Sequence, residues 1–93
     1  MTDFSTGVER LLKQIAHWTE SRWRGRDDHV HALVQHLADL AADAEGRPRR
    51  PVPRLHPMVL PDQLRVMADD LIGSGAPLEG AASLVDETRH RLS

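Results

Sequence analysis

The residues with the widest chemical scope in this chain are its six histidines among 93 residues. Helical metal sites place two histidines four apart, so that both rings reach one ion. None of His17, His29, His31, His36, His56 and His90 has that spacing. His29, His36 and Asp43 follow one another at seven-residue steps. That is about 10 Å of helix axis per step, too far to share an ion. Asp27 with His31, or His36 with Asp39, supplies half a site. No metal site and no cofactor are expected, and a small metal- or ligand-binding protein ranks third among the functional readings.

Nucleophilic and acid–base chemistry finds no better footing. Ser5, Ser21, Ser74, Ser83 and Ser93 fall in expected caps, turns or exposed faces. Asp27-Asp28 and Asp69-Asp70 are adjacent pairs, which diverge on a helix. Gly73-Ser74-Gly75 follows a predicted helix, not a strand, and no P-loop lysine accompanies it, so it reads as a turn. A short helical unit also leaves little room for a pocket of about 300 Å³. The chain is expected not to be an enzyme.

Two clusters invite a binding role. Trp18, Arg22, Trp23 and Arg24, with Arg26, combine aromatics and guanidinium groups. Structure alone accounts for much of this, because cations favour a helix C-terminus and Trp23 continues an apolar stripe. As a functional patch the cluster fits a protein contact best, since tryptophan and arginine are enriched there. The second cluster is Arg47, Arg49, Arg50 and Arg54, which form a candidate anion contact. Residues 1–46 hold eight acids and five bases, residues 47–60 four arginines and no acid, and residues 61–93 six acids and three bases. The segment charges are therefore −3, +4 and −3, summing to the net −2. Phosphate binding normally needs a basic face over the whole domain, and here both flanks are acidic. The expected partners of these arginines are internal acids such as Glu45, Asp62, Asp69 or Asp70.

The elements that position these groups follow from apolar periodicity. Thr6 and Glu9 have capping-box spacing. Val8, Leu11, Leu12, Ile15, Thr19 and Trp23 then share a face, with Trp18 at its edge, predicting a helix over residues 6–24 that stops at Gly25. Asp27 or Asp28 caps a second helix over 28–45. Its stripe runs Val30, Leu33, Val34, Leu37, Leu40, Ala41, Ala44, and Gly46 ends it. The short break between the two predicts an antiparallel hairpin. Residues 47–60 (RPRRPVPRLHPMVL) cannot continue as helix, because Pro48, Pro51, Pro53 and Pro57 remove donors and constrain their predecessors. Extended chain covers about 3.1 Å per residue, so this strap reaches back along the whole hairpin, anchored by Val52, Leu55, Met58, Val59 and Leu60.

Pro61 suits the first turn of a third helix over 61–72, with Leu64, Met67, Ala68, Leu71 and Ile72 inward. A fourth helix over 77–91 carries a thinner stripe of Leu78, Ala81, Ala82, Val85 and Leu92, weakened by Gly80. Taken as a helix-turn-helix, residues 64–89 would present Glu79, Asp86 and Glu87 to the groove before any arginine, which is a poor fit.

The expected fold is one all-α domain over 1–93, four-helix bundle-like, made of two helical hairpins joined by the Pro/Arg-rich extended crossover. The length of the strap also permits exchange of hairpins between chains. No cysteine is present, so no disulfide supports the modest core that a domain of this size builds. No stretch approaches the about 20 apolar residues of a membrane span, and MTDFSTGVER lacks the layout of a signal peptide, so a soluble cytoplasmic protein is expected. The leading functional expectation is a non-enzymatic protein-interaction or regulatory module with a protein partner or a second copy of itself. Nucleic-acid binding through the strap is the alternative.

Overall fold

A computed structural model describes residues 2–93. These residues form five α-helices and one 3-10 turn: α1 (Phe4–Ile15), α2 (Glu20–Trp23), α3 (Asp27–Ala44), the 3-10 turn Pro57–Val59, α4 (Leu60–Gly73) and α5 (Glu79–Leu92). Among the described residues there is no strand, and no helix is long and apolar enough to cross a membrane.

The first helix is not continuous over 6–24. It starts earlier, with Asp3 as its cap, whose carboxylate accepts the Thr6 N–H at 2.8 Å. Thr6 therefore lies inside the first turn and forms no capping box with Glu9. The helix ends at Ile15, and Thr19 is extended and accepts the Arg22 N–H at 3.3 Å to start α2. The reason lies in the tryptophans. Five residues along an unbroken helix turn through about 140° between nearest directions, which would leave one indole outside. The break lets both turn inward, with ring centroids 4.9 Å apart at 70°.

Gly25 has φ 80°, the left-handed conformation expected where α2 stops. The second predicted helix is found with two small differences. Arg26 occupies the cap position without a side-chain bond, so neither Asp27 nor Asp28 caps. Both lie in the first turn instead, where the helix dipole favours carboxylates. The far end closes around Gly46 (φ 67°), with Arg47 N–H reaching Ala42 O at 2.8 Å.

The strap runs back along α3 as expected, and its route can be followed contact by contact. Arg49 meets Asp43, Gln35 meets Arg50 and Val52, and Arg54 meets Asp27 and Asp28. Gln35 is the clamp. Its Oε1 accepts the Val52 N–H at 2.7 Å, and its Nε2 donates to Arg50 O at 3.0 Å and to Asp39 at 2.9 Å. Val52 is buried and Leu60 closes the strap's far end, but Leu55 and Met58 are 55% and 52% exposed and anchor nothing. Arg54 already sits on the first residues of α3, so the chain beyond it has run off the end of the helix it was covering.

Because the strap returns to the start of α3, α4 runs parallel to α3, and this is the most extensive helix contact in the molecule. The predicted hairpins are not formed. Helices α1 and α3 each pack on α4 and on α5, while α1 against α3 and α4 against α5 make little contact. The inference from short linkers fails because the corner at α2 carries α3 away from α1, and α4 and α5 fill the space between. Burial within α4 falls on Leu60, Leu64, Ala68 and Leu71, while Ile72, expected inward, is 45% exposed. Helix α5 starts at Glu79, two residues after Pro77, and buries Ala81, Ala82, Val85, Thr88 and Leu92. Where α1 meets α5, a Cβ on Gly7 would lie 3.2 Å from Val85 Cγ1.

Two stability predictions follow from these contacts. Gln35→Ala leaves the Val52 N–H and Arg50 carbonyl without their partner and should cost about 1–3 kcal/mol in urea unfolding; no loss would show that the clamp contributes nothing. Gly7→Val overfills the contact with fully buried Val85 and should destabilise by about 1–3 kcal/mol, against a neutral result if α1 and α5 were loosely apposed.

Candidate contact site at the α2 corner

Each residue singled out by the sequence has a defined place. Trp23 is 2% and Trp18 9% exposed, so both indoles belong to the core and not to a solvent-facing patch. The arginines of the same cluster remain outside. Arg22 lays its guanidinium 5.2 Å from the Trp18 ring centre, a cation–π contact. Arg26 donates from Nη1 to the Arg22 carbonyl at 3.0 Å, satisfying a free end of α2. Arg24 lines an open hollow of about 280 Å³ with Glu20, Trp23, Gly25, Asp27, His56 and Pro57. Arg22, Arg24 and Arg26 have no acidic partner among the described residues.

The 3-10 turn packs on α2, and His56 and Pro57, flanked in the chain by exposed Leu55 and Met58, line the hollow with Arg24. His56 orders the segment. Its Nδ1 accepts the Met58 N–H at 3.2 Å, which leaves Nε2 to carry the proton and donate to Glu20 Oε1 at 3.0 Å. Leu55 and Met58 are thus exposed on either side of the two residues that meet Arg24. Sequence reasoning identified the arginines but not Leu55 and Met58. No signal separates them from Val52, because all three are apolar residues in the same proline-rich segment.

The strap arginines are placed very differently. Arg49 holds Asp43 through Nε and Nη2 of its guanidinium group, at 3.0 and 2.6 Å. Arg47 holds Glu45 at 2.7 Å, and Arg54 holds Asp27 at 2.9 Å together with Asp28. Donating hydrogen bonds to the Glu45, Asp43 and Asp28 carboxylates holds the Arg47, Arg49 and Arg54 guanidinium groups charged to still higher pH than usual. Arg50 has no acidic partner among the described residues; its side chain lines a groove of about 190 Å³ with Arg47, Pro51, Met67 and Asp70. Of the acids expected to pair with the strap, Glu45 does so and Asp62, Asp69 and Asp70 do not.

Among the described residues no group of three or more His, Asp or Glu side chains is arranged to hold a metal ion. Asp43 is taken by Arg49, Asp39 by Gln35 and Asp27 by Arg54. His29 and His36 instead border a cleft of about 150 Å³ between α3 and α5, with Glu87 and Arg91 opposite. Ser74 does hold a turn, donating to Leu71 O at 2.6 Å and accepting from Ala76 N–H at 3.3 Å. The scarcity of contact between α4 and α5 also departs from a helix-turn-helix, whose two helices brace one another. Comparison with known proteins finds no matching family, no matching curated protein and no matching solved structure.

The Asp43–Arg49 pair has a pH consequence. The hydrogen bond from Arg49 holds the Asp43 carboxyl below its ordinary 3.8, outweighing the opposing effect of burial. A folded value below the unfolded one adds stability above the unfolded value and loses it as pH falls through the folded value. Asp3 is held low in the same direction by the Thr6 N–H. Melting temperature should therefore drop on acidification below about pH 4, and less steeply in Asp43→Asn. An identical acid limb in the variant would mean that the pair contributes nothing.

Proposed function

We propose that this chain is a non-enzymatic protein-interaction module, a bundle-like helical domain whose contact face is the α2 corner with Arg22, Arg24, Leu55 and Met58. The observation that carries this reading is the exposure of Leu55 and Met58 on a segment pinned by Arg54 and His56, on either side of His56 and Pro57, which line one hollow with Arg24. A strap free to bury those side chains would have done so. Here Arg54 and His56 fix the segment on either side of Leu55 and hold it out. Apolar groups rimmed by guanidinium groups are the composition of a protein contact.

Two further observations favour this reading over the alternatives. The resolved pKa shifts fall on Asp3, Asp43, Arg47, Arg49 and Arg54, and each comes from a helix cap or an exposed ion pair, whereas catalytic sites shift their groups by burial in a cleft. In the strap, Arg47, Arg49 and Arg54 are met by Glu45, Asp43, Asp27 and Asp28, which removes most of the positive field a phosphate backbone would need.

In-cell photo-cross-linking tests the proposal. A photoreactive amino acid placed at Leu55 or at Met58 should yield a covalent adduct with a defined protein, identified by mass spectrometry. The same group at exposed Ser83 on α5 should not. Absence of adducts at all three positions, or equal adducts at all three, would overturn the reading.

A further inference from the structure

His56 meets its two neighbours in a way that only one protonation state of the ring allows. Pro57 has no N–H, so the first donor of the 3-10 turn is the Met58 N–H. Its acceptor is His56 Nδ1, at 3.2 Å, which makes the imidazole the cap of the turn. Nε2 lies 3.0 Å from Glu20 Oε1. An ionised carboxylate can only accept, so Nε2 bears the proton there. The neutral ring with its proton on Nε2 serves both partners at once.

The imidazolium cannot do this. Both of its nitrogens are donors, so a second proton on Nδ1 would be set against the Met58 N–H, donor to donor. The same proton turns the bond to Glu20 into a charge-assisted one, which is stronger than its neutral form. Protonation therefore holds the ring more firmly on α2 while it releases the turn. The other charged groups around the ring leave this competition intact. Arg24, just past α2, and Asp27, on α3, line the same hollow as Glu20 and His56, and Asp27 is itself held by Arg54 from the strap. Helix α4, on which the turn also packs, has Asp62 in its first turn. None of these groups takes the Met58 N–H, which goes to Nδ1.

We propose that His56 is a proton-operated latch on the segment that carries Leu55 and Met58. The neutral ring caps the 3-10 turn and holds that segment closed. The doubly protonated ring stays on Glu20 and lets the start of the turn open, a local electrostatic event that displaces Met58. The effect of the latch on partner binding rests on the protein-contact reading above, whereas the opening of the turn does not.

NMR of the whole chain between about pH 8 and pH 5, the span in which imidazoles titrate, reads both ends of the latch. The His56 ring resonances follow the second proton, and the Met58 amide follows the cap. The amide should shift with the same midpoint as the ring. Its exchange protection, corrected for the intrinsic pH dependence of exchange, should fall by about threefold to tenfold, the worth of one hydrogen bond. Leu37, in the core of α3, should stay protected throughout, which separates local opening from unfolding. In His56→Asn, whose side-chain carbonyl can cap without titrating, the Met58 amide should hold still over the same range. A Met58 amide that stays put while the wild-type ring takes its proton, or one that moves equally in His56→Asn, would overturn the latch. Either result would leave the cross-linking test of the contact reading untouched. Absence of adducts at Leu55 and Met58 would instead remove the contact face and leave the titration standing.

Discussion

The fold depends on one side chain reading the backbone of an extended segment. Gln35 takes the Val52 N–H and the Arg50 carbonyl together, as a neighbouring strand would, in a stretch that proline bars from both helix and sheet. Val52 lies between Pro51 and Pro53, so its N–H is the only donor those three residues have. The surrounding ion pairs are exposed and add little individually. The clamp and the burial of Val52 fix the strap against α3, and the strap decides where α4 starts and which way it runs. A free linker of the same length would permit an antiparallel α4 as readily. The parallel α3–α4 pair is the surface on which α1 and α5 assemble.

The corner at α2 depends on a second constraint, the need to bury two indoles that helical spacing alone would separate. Thr19 interrupts the helix and caps the next, Trp18 folds against Trp23, and α2 becomes a short platform on which the 3-10 turn rests. Arg22 and Arg24 are left outside because the two tryptophans between and beside them turn in. The same platform brings His56 and Pro57 to the hollow that Arg24 lines.

Much of this could be read from residue order, and the remainder has identifiable physical causes. Helix existence followed from apolar periodicity, which reports one element's own buried face. The stops at Gly25 and Gly46 followed from glycine's access to positive φ. Even the thin stripe of α5 marked a true helix. Which helices pair did not follow, because periodicity says that a face is buried without saying against what. The interruption at residues 16–19 was hidden because Thr19 and Trp23 fit the helical stripe as spaced letters. Asp3 was overlooked as a cap because Thr6 and Glu9 offered a more familiar pattern three residues on. In the strap, the arginines were visible as a charge run, but Gln35, the residue that holds their backbone, is a lone amide on a helix flank and carries no sequence signature.

The central claim is that the strap is a fixed part of the fold because Gln35 binds its backbone. Amide hydrogen exchange at Val52 tests it most directly, since this N–H belongs to no helix and owes its protection to Gln35 and to burial alone. The account predicts protection comparable to that of α3 core amides such as Leu37, opening only with the whole domain. Exchange of Val52 at the rate of unstructured chain, while Leu37 stays protected, would contradict it.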